Sequence, residues 1–391
     1  MKLLNLNQKI IISTLKFVIV MPIALLFRYS KPNVWIITER PTQARDNGYC
    51  FFKYLKKEHP EEKVFYIIDK QADDYQKIMQ YKNVIQFNSW KHYFYYCLSK
   101  VHISSHVNGC CPDYAISISR KLKKLIGFKD VFIPHGVSYG VSEFCLKKYS
   151  KIDLFICSGK QEYDNILNNY GYLEKEVAYT GFPRLDNWHN NDIIVNPRQI
   201  VMMPTWRVYL VQEKNIIFED TAYYKVYKSV LDNSILSNFL IKNNLKLIFY
   251  LHSEMRKYVN LFKTSCPNIE VVYKDSTYDI QELLKTSALL ITDYSSVHFD
   301  FAYMNKPIIY FQFDKEEFFC KQYQRNWFEA EINGFGPVVD NVKELVEQIE
   351  KAYKKQFRLT EPYHSRMRLF YQIHDTHNCE RVYQEIIERI L

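Results

Sequence analysis

At 391 residues the chain is longer than one hydrophobic core usually serves, and its 47% apolar content is enough to bury two. Fifty-two Lys and Arg against 43 Asp and Glu leave a charge of +9 spread along the chain, which suits anionic partners such as phospholipid, nucleotide or polyphosphate but is no nucleic-acid footprint by itself. Ten glycines and no GxGxxG argue against a dinucleotide-binding fold; nine cysteines without a CxxC support neither a zinc site nor a disulfide framework and fit a reducing cytoplasm.

Ile10 to Phe27 is a run of mostly apolar residues interrupted by Ser13, Thr14, Lys16 and Pro22 and flanked by Lys2, Lys9, Arg28 and Lys31. It is marginal as a membrane span; residues 1–32 read first as a basic apolar segment lying on an anionic membrane surface, with a true span and a helix buried within the protein as the alternatives. From Asn33 short apolar runs alternate with helical patterns. Val34 to Thr38, Val64 to Ile68, Val84 to Phe87, Val101 to Ser105, Val131 to Pro134 and Leu154 to Ser158 read as strands. Asn47 to Glu58, Ser89 to Ser99, Ile118 to Ile126 and Lys160 to Tyr170 read as helices. These make an α/β domain over 33–190, followed by a polar linker from Trp188 to Arg198.

The pattern restarts in a second α/β domain over 191–391. Its expected strands are Ile200 to Pro204, Leu245 to Leu251, Ile269 to Tyr273, Leu289 to Thr292 and Ile308 to Phe311. Helices are expected over Ala222 to Lys242, Glu254 to Phe262, Ile280 to Thr286, Val297 to Asn305, Val342 to Lys355 and Asn378 to Ile390. The fold class is therefore α/β, with two doubly wound Rossmann-like domains and a cleft expected at their strand carboxyl ends, where such sheets bind ligands.

Polar clusters follow the strands at those ends. His135 and Gly136 lie in IPHGVSYG, where an imidazole with backbone room beside it can take a proton near neutral pH; taken alone, it reads equally well as a loop histidine. Arg184, in TGFPRLD, pairs by itself with Asp186 or a nearby acid. Arg207, in MPTWR, has the two-pronged geometry that clamps phosphate oxygens. His252 ends another strand. Thr292, Asp293, Ser295 and Ser296 open a helix, where free N–H groups and the helix dipole favour an anion; an isolated DYSS simply caps a helix. Together these are the parts of a phosphoryl-transfer site: a base, cations and N–H groups. No Walker A or kinase loop is present, so the donor need not be ATP.

With IPHGVSYG, TGFPRLD, MPTWR and TDYSSVHFDFAYMNKPIIYFQFDKEEF in this order, the sequence resembles the CDP-glycerol glycerophosphotransferase family, the teichoic acid primases and polymerases, from about Asn33 onward. The resemblance implies a GT-B architecture and an enzyme on the cytoplasmic face of the membrane. It implies transfer of a polyol phosphate from CDP-glycerol or another CDP-polyol to a hydroxyl, with release of CMP and no cofactor or metal. The first domain would serve the acceptor, a lipid-linked glycan or polyol phosphate, and the second the CDP donor. By position, His135 matches the family's general base and His252 a second histidine near the pyrophosphate. Thr292, Ser295 and Ser296 match the phosphate-binding turn and Arg207 the PTWR arginine; Gly136 and Arg184 are counted with the donor-binding group, and Asp293 is expected to orient the turn. The family often has His-Pro where this chain has His252-Ser253. A GT-B glycosyltransferase using a nucleotide sugar and a non-catalytic glycan-binding protein are the competing readings.

Overall fold

The computed structural model describes residues 6–30, 33–112, 119–140, 142–188, 194–212, 216–273, 278–322 and 327–391. The expected domain boundary at 190/191, and residues 189–193 of the expected linker, lie outside this set. The chain forms two compact units, one of residues 1–138, 142–187 and 375–391, the other of residues 139–141 and 188–374.

In the first unit the described strands are β1 (Val34–Thr38), β2 (Lys63–Ile68), β3 (Val84–Gln86), β4 (Val101–Ser104), β5 (Lys129–Phe132), β6 (Leu154–Cys157) and β7 (Val177–Tyr179). They form one sheet of order β3-β2-β1-β4-β5-β6-β7 in which every pairing is parallel. The second unit contains β8 (Asn196–Met203), β9 (Lys246–Phe249), β10 (Ile269–Val271), β11 (Ser287–Thr292), β12 (Ile308–Phe311) and β13 (Val338–Val339), again all parallel, in the order β10-β9-β8-β11-β12-β13. A parallel sheet is covered by helices on both faces, and β1, β4, β6, β11 and β12 are accordingly buried at every position. Both orders reverse at one point, between β1 and β4 and between β8 and β11, and a doubly wound sheet opens its ligand crevice there, beyond the strand carboxyl ends.

Two expectations change. The helix expected over Ala222 to Lys242 is two helices, Ala222–Leu231 and Ser234–Lys242, because the Asn233 side chain accepts from Leu236 N (2.9 Å) and starts a new N-terminus. The last helix, Asn378–Arg389, expected to close the second domain, belongs to the first unit. Its buried face, Cys379, Val382 and Ile386, packs on the helix Asn47–Glu58 and on β6.

Asp186 fastens that last helix. Its carboxylate accepts from Asn378 N (2.9 Å), Asn378 Nδ2 (2.7 Å) and Cys379 N (2.9 Å), covering the free N–H groups of the first turn. Gly181 stands against the same turn at φ +79°, where a Cβ would meet Asn378 Oδ1 at 1.8 Å. The TGFPRLD motif therefore has a structural duty at both ends. Asp186→Ala is expected to lower stability by about 1–2 kcal/mol, the usual effect of removing a helix cap, read as an earlier thermal unfolding transition.

Candidate active site

At the switch point of the second sheet, Thr292 is register-paired with Met203, and the chain beyond each strand is tied to the other. Asp293 Oδ1 accepts from Thr205 N (2.8 Å) and Tyr294 N (2.6 Å). Between these segments lies Arg207, with no solvent exposure. Its Nε and Nη2 donate to Asp314 (2.7 and 3.0 Å), Nη2 also to Asp293 Oδ2 (2.9 Å), and Nη1 to Thr205 O (2.7 Å). Burial by itself pulls the guanidinium pKa down, but Asp293 and Asp314 hold it above the ordinary arginine value, so the charge is permanent. Tyr294 and Phe318 cover the guanidinium at 5.1 and 4.8 Å from their ring centres.

Arg207 is thus not the exposed phosphate clamp expected from PTWR: its nitrogens are engaged with carboxylates and a carbonyl in a dry interior. Thr292 is likewise turned inward, its hydroxyl donating to Met203 O (2.7 Å) from a side chain that is buried. Both hold the turn in shape. What the turn presents outward is Ser295 and Ser296, half-buried, at the start of the helix Val297–Tyr303. The Ser296 side chain makes no capping bond there, and the N–H groups of His298 and Phe299 bond back to Ser295 O (3.3 Å) and Ser296 O (3.1 Å).

His252, beyond β9, is exposed and stacks on Trp206 with ring centres 5.8 Å apart. Its Nδ1 accepts from Glu254 N (3.3 Å), so the neutral ring carries its proton on Nε2.

In the first unit His135 follows β5 and is held through its main chain. Arg184 Nη1 donates to His135 O (2.8 Å) and to Asp46 Oδ1 (2.6 Å), while Asn47 Nδ2 donates to Pro134 O (2.6 Å) and Asn47 Oδ1 accepts from Arg184 N (3.1 Å). Arg184 is therefore a buried support of the His135 loop, paired with Asp46 rather than with Asp186. Glu39 sets the position of Asp46 and Asn47 by accepting from the N–H groups of Arg45 (3.0 Å), Asp46 (2.9 Å) and Tyr49 (2.7 Å). Burial and the neighbouring Asp46 raise the Glu39 pKa to about 8 against those three donors. Gly136 is buried next to the histidine.

The His135 ring has an accessible face, yet the protein packed around the rest of it desolvates the imidazole and lowers its pKa below 6.5. Arg184 and Arg40 push the same way, and Asp46 and a hydrogen bond to the Ser105 main chain push back. The result is a neutral imidazole at pH 7, with one nitrogen turned to Ser105 and the other able to accept a proton. His106 lies parallel to it, ring centres 5.3 Å apart and planes 4° off.

Sequence reasoning missed Asp314, Asp46, Asn47 and Glu39, the residues that hold the arginines and the His135 loop. Asp314 and Glu39 each follow a strand, β12 and β1, and the rule that singled out the other clusters reaches them. Asp46 and Asn47 open a helix, where they read as ordinary cap residues.

Because Arg207 neutralises two buried carboxylates, Arg207→Met is expected to lower the second unit's stability by about 3–5 kcal/mol. The corresponding fall in thermal midpoint is on the order of 10 °C. A midpoint within a degree or two of the parent would show that the charge cluster contributes little.

The chain matches the family model for CDP-Glycerol:Poly(glycerophosphate) glycerophosphotransferase over residues 19–388. It is 31% identical over 371 residues to the minor teichoic acid biosynthesis protein GgaB of Bacillus subtilis (strain 168), which covers 92% of this chain and 40% of that protein. With the teichoic acid poly(glycerol phosphate) polymerase of Bacillus spizizenii (strain ATCC 23059 / NRRL B-14472 / W23) it shares 29% over 255 residues, 62% of each chain. The chain thus spans about 40–62% of the length of these curated relatives. Its fold is that of the solved wall teichoic acid polymerase TagF, with a TM-score of 0.64 at 17% identity and 99% of each chain covered. This chain belongs to the CDP-glycerol:poly(glycerophosphate) glycerophosphotransferase family.

Proposed function

We propose that the chain transfers a polyol phosphate, with glycerol phosphate the first expectation, from a CDP-activated donor to a hydroxyl of a teichoic acid or another phosphate-containing surface glycan. The observation that carries this is His135, an accessible neutral imidazole whose loop is locked by Arg184 and Asn47, in a chain of this family. The acceptor oxygen attacks the phosphorus next to the polyol, the bond from that phosphorus to the bridging oxygen breaks, and CMP leaves. The acceptor's proton passes to His135, since a free hydroxyl is far too weak an acid to lose it unaided at pH 7. Donor phosphates are assigned to the N–H groups and hydroxyls at Ser295 and Ser296 and to His252 Nε2, while Asp293, Thr292 and Arg207 keep that turn in place.

We place the reaction on the cytoplasmic face of a membrane, with the helix Leu6–Ser30 lying in the lipid surface. Its Leu6–Arg28 stretch, mean hydropathy 2.5, is long and apolar enough to cross a bilayer. One face, however, is tied to the first unit along its length: Ser13 Oγ bonds Tyr93 OH (2.8 Å), Lys16 donates to Asn88 O (3.2 Å), Phe17, Val20 and Ala24 are buried, and Arg28 donates to Ile126 O (2.6 Å). The other face exposes Ile11, Leu15, Val18, Ile19, Ile23 and Leu26, each at least half accessible. Spanning would break every one of those ties; lying flat keeps them and buries the free face in lipid.

CMP release on incubation with CDP-glycerol and a teichoic acid acceptor tests the reaction, and UDP release from a UDP-sugar would favour a glycosyltransferase instead. His135→Ala is expected to reduce turnover by about two to four orders of magnitude with donor binding intact. Since the His135 pKa is lowered, the base form accumulates at lower pH, so the rate should rise with pH to a plateau with its midpoint below 6.5, a limb absent from the mutant. A folded mutant keeping more than about a tenth of the activity would remove His135 from the role. Alkaline carbonate is expected to release the protein from anionic vesicles, and a Leu15→Glu, Val18→Glu double substitution to prevent binding; release by detergent alone would make the helix a span.

A further inference from the structure

The switch point of the first sheet carries a charge that the reaction as proposed leaves unused. β1 and β4 lie side by side there, Thr38 paired with Ser104, and two residues beyond each come Arg40 and His106. Arg40 is exposed, and its Nε donates to His106 Nε2 (3.4 Å). His106 Nδ1 lies 3.2 Å from Ser105 Oγ. Burial, His135 and Arg40 lower its pKa to about 4, so the ring stays neutral and keeps its lone pair for the arginine. This fixes the Arg40 guanidinium by Nε, and a guanidinium held in that way can present its Nη1 and Nη2 edge to a ligand.

The nearby acids do not neutralise it. Asp46 is paired with Arg184, and Glu39 is taken up by three main-chain N–H groups. Among the described residues no carboxylate lies within ion-pair distance of Arg40. An unmatched, oriented cation therefore stands in the ligand crevice of the sheet, one stacked imidazole away from His135.

We infer that Arg40, oriented by His106, binds a phosphate of the acceptor, so that the attacking hydroxyl belongs to a polyol phosphate end rather than to a neutral sugar. This rests on the reading of His135 as the base. In a glycerol phosphate end the hydroxyl oxygen and the phosphorus are separated by three carbons and the ester oxygen, about 6 Å when extended with bonds of ~1.5 Å, comparable with the 5.3 Å between the His106 and His135 ring centres. The donor's own phosphates are assigned to the second unit, which leaves Arg40 for the acceptor.

The test uses the full chain and two acceptors, a short glycerol phosphate oligomer and a neutral disaccharide, with CMP release as the kinetic readout and calorimetric binding of the oligomer without donor as the second. In Arg40→Gln the KM for the oligomer should rise about tenfold or more, with kcat and the KM for CDP-glycerol little changed, and oligomer binding should weaken to match. Arg40→Lys should recover part of the loss. His106→Phe keeps the ring stack but removes the acceptor for Nε, and should move the oligomer KM in the same direction as Arg40→Gln. An unchanged oligomer KM in Arg40→Gln, a rise confined to the CDP-glycerol KM, or a parent enzyme that uses the neutral disaccharide as well as the oligomer would each overturn the inference. Should the parent release no CMP at all, the transfer reading fails, and calorimetry still decides this one: weaker oligomer binding in Arg40→Gln supports the anion subsite and unchanged binding refutes it.

Discussion

Arg207 carries a full charge where water does not reach, and the carboxylates of Asp293 and Asp314 are what make that tolerable. An unpaired charge in such a place is several kcal/mol unfavourable, so the three groups constrain one another: the arginine needs both acids, and each acid needs the arginine. Asp293 lies one residue beyond β11, Asp314 three beyond β12, and Arg207 four beyond β8, so the cluster joins the carboxyl ends of three strands. Asp293 also receives the N–H of Thr205 and of Tyr294, which passes the constraint from the side chains to the main chain of the turn. The orientation of Ser295 and Ser296 follows from it. A site that must offer N–H groups to an anion without rearranging gains from such a support, because preorganised donors need no reorganisation as charge develops.

The first unit solves a similar problem with weaker means. Arg184 is almost fully buried, but its partner Asp46 keeps about a quarter of its side-chain surface in water, so solvent screens the pair. What the pair does is geometric: Arg184 grips the carbonyl of His135 while Asn47 grips that of Pro134, and the imidazole keeps an accessible face. The two arginines that looked like ligand-binding residues are in this respect alike. Each holds a loop that presents another polar side chain, His135 in the one case and the paired serines in the other.

Both sheets follow the same order of strands, and in both a group of polar residues gathers where that order reverses, while His135, His252 and Asp314 follow neighbouring strands. β1 and β4 supply Glu39, Arg40, Ser105 and His106; β8 and β11 supply Thr205, Arg207, Asp293 and the serines. The helix Leu6–Ser30 has a different origin. Its buried face, Phe17, Val20 and Ala24, completes a core with Tyr93 and Tyr96, while its free face has the composition of a lipid-facing surface.

The sequence by itself determined the alternation of strands and helices, since a strand covered on both faces must be a short apolar run, and runs such as Leu289 to Thr292 and Ile308 to Phe311 have no polar alternation to confuse them. It also located His135, His252 and the serine turn, because a doubly wound sheet can present polar groups only beyond its strand ends. The brief strands β7 and β13, three and two residues long, carry too little pattern to be seen. The break at Asn233 was written in a cap residue, yet the apolar spacing on either side of it reads as one helix. Only the tertiary structure decided which polar side chains face water. Arg207 is withdrawn by Asp314, 107 positions away, and Asp186 is bound by a helix 192 positions further on. Whether a charge binds a ligand or holds a loop depends on partners brought to it by the fold, and no local pattern in the chain records that distance.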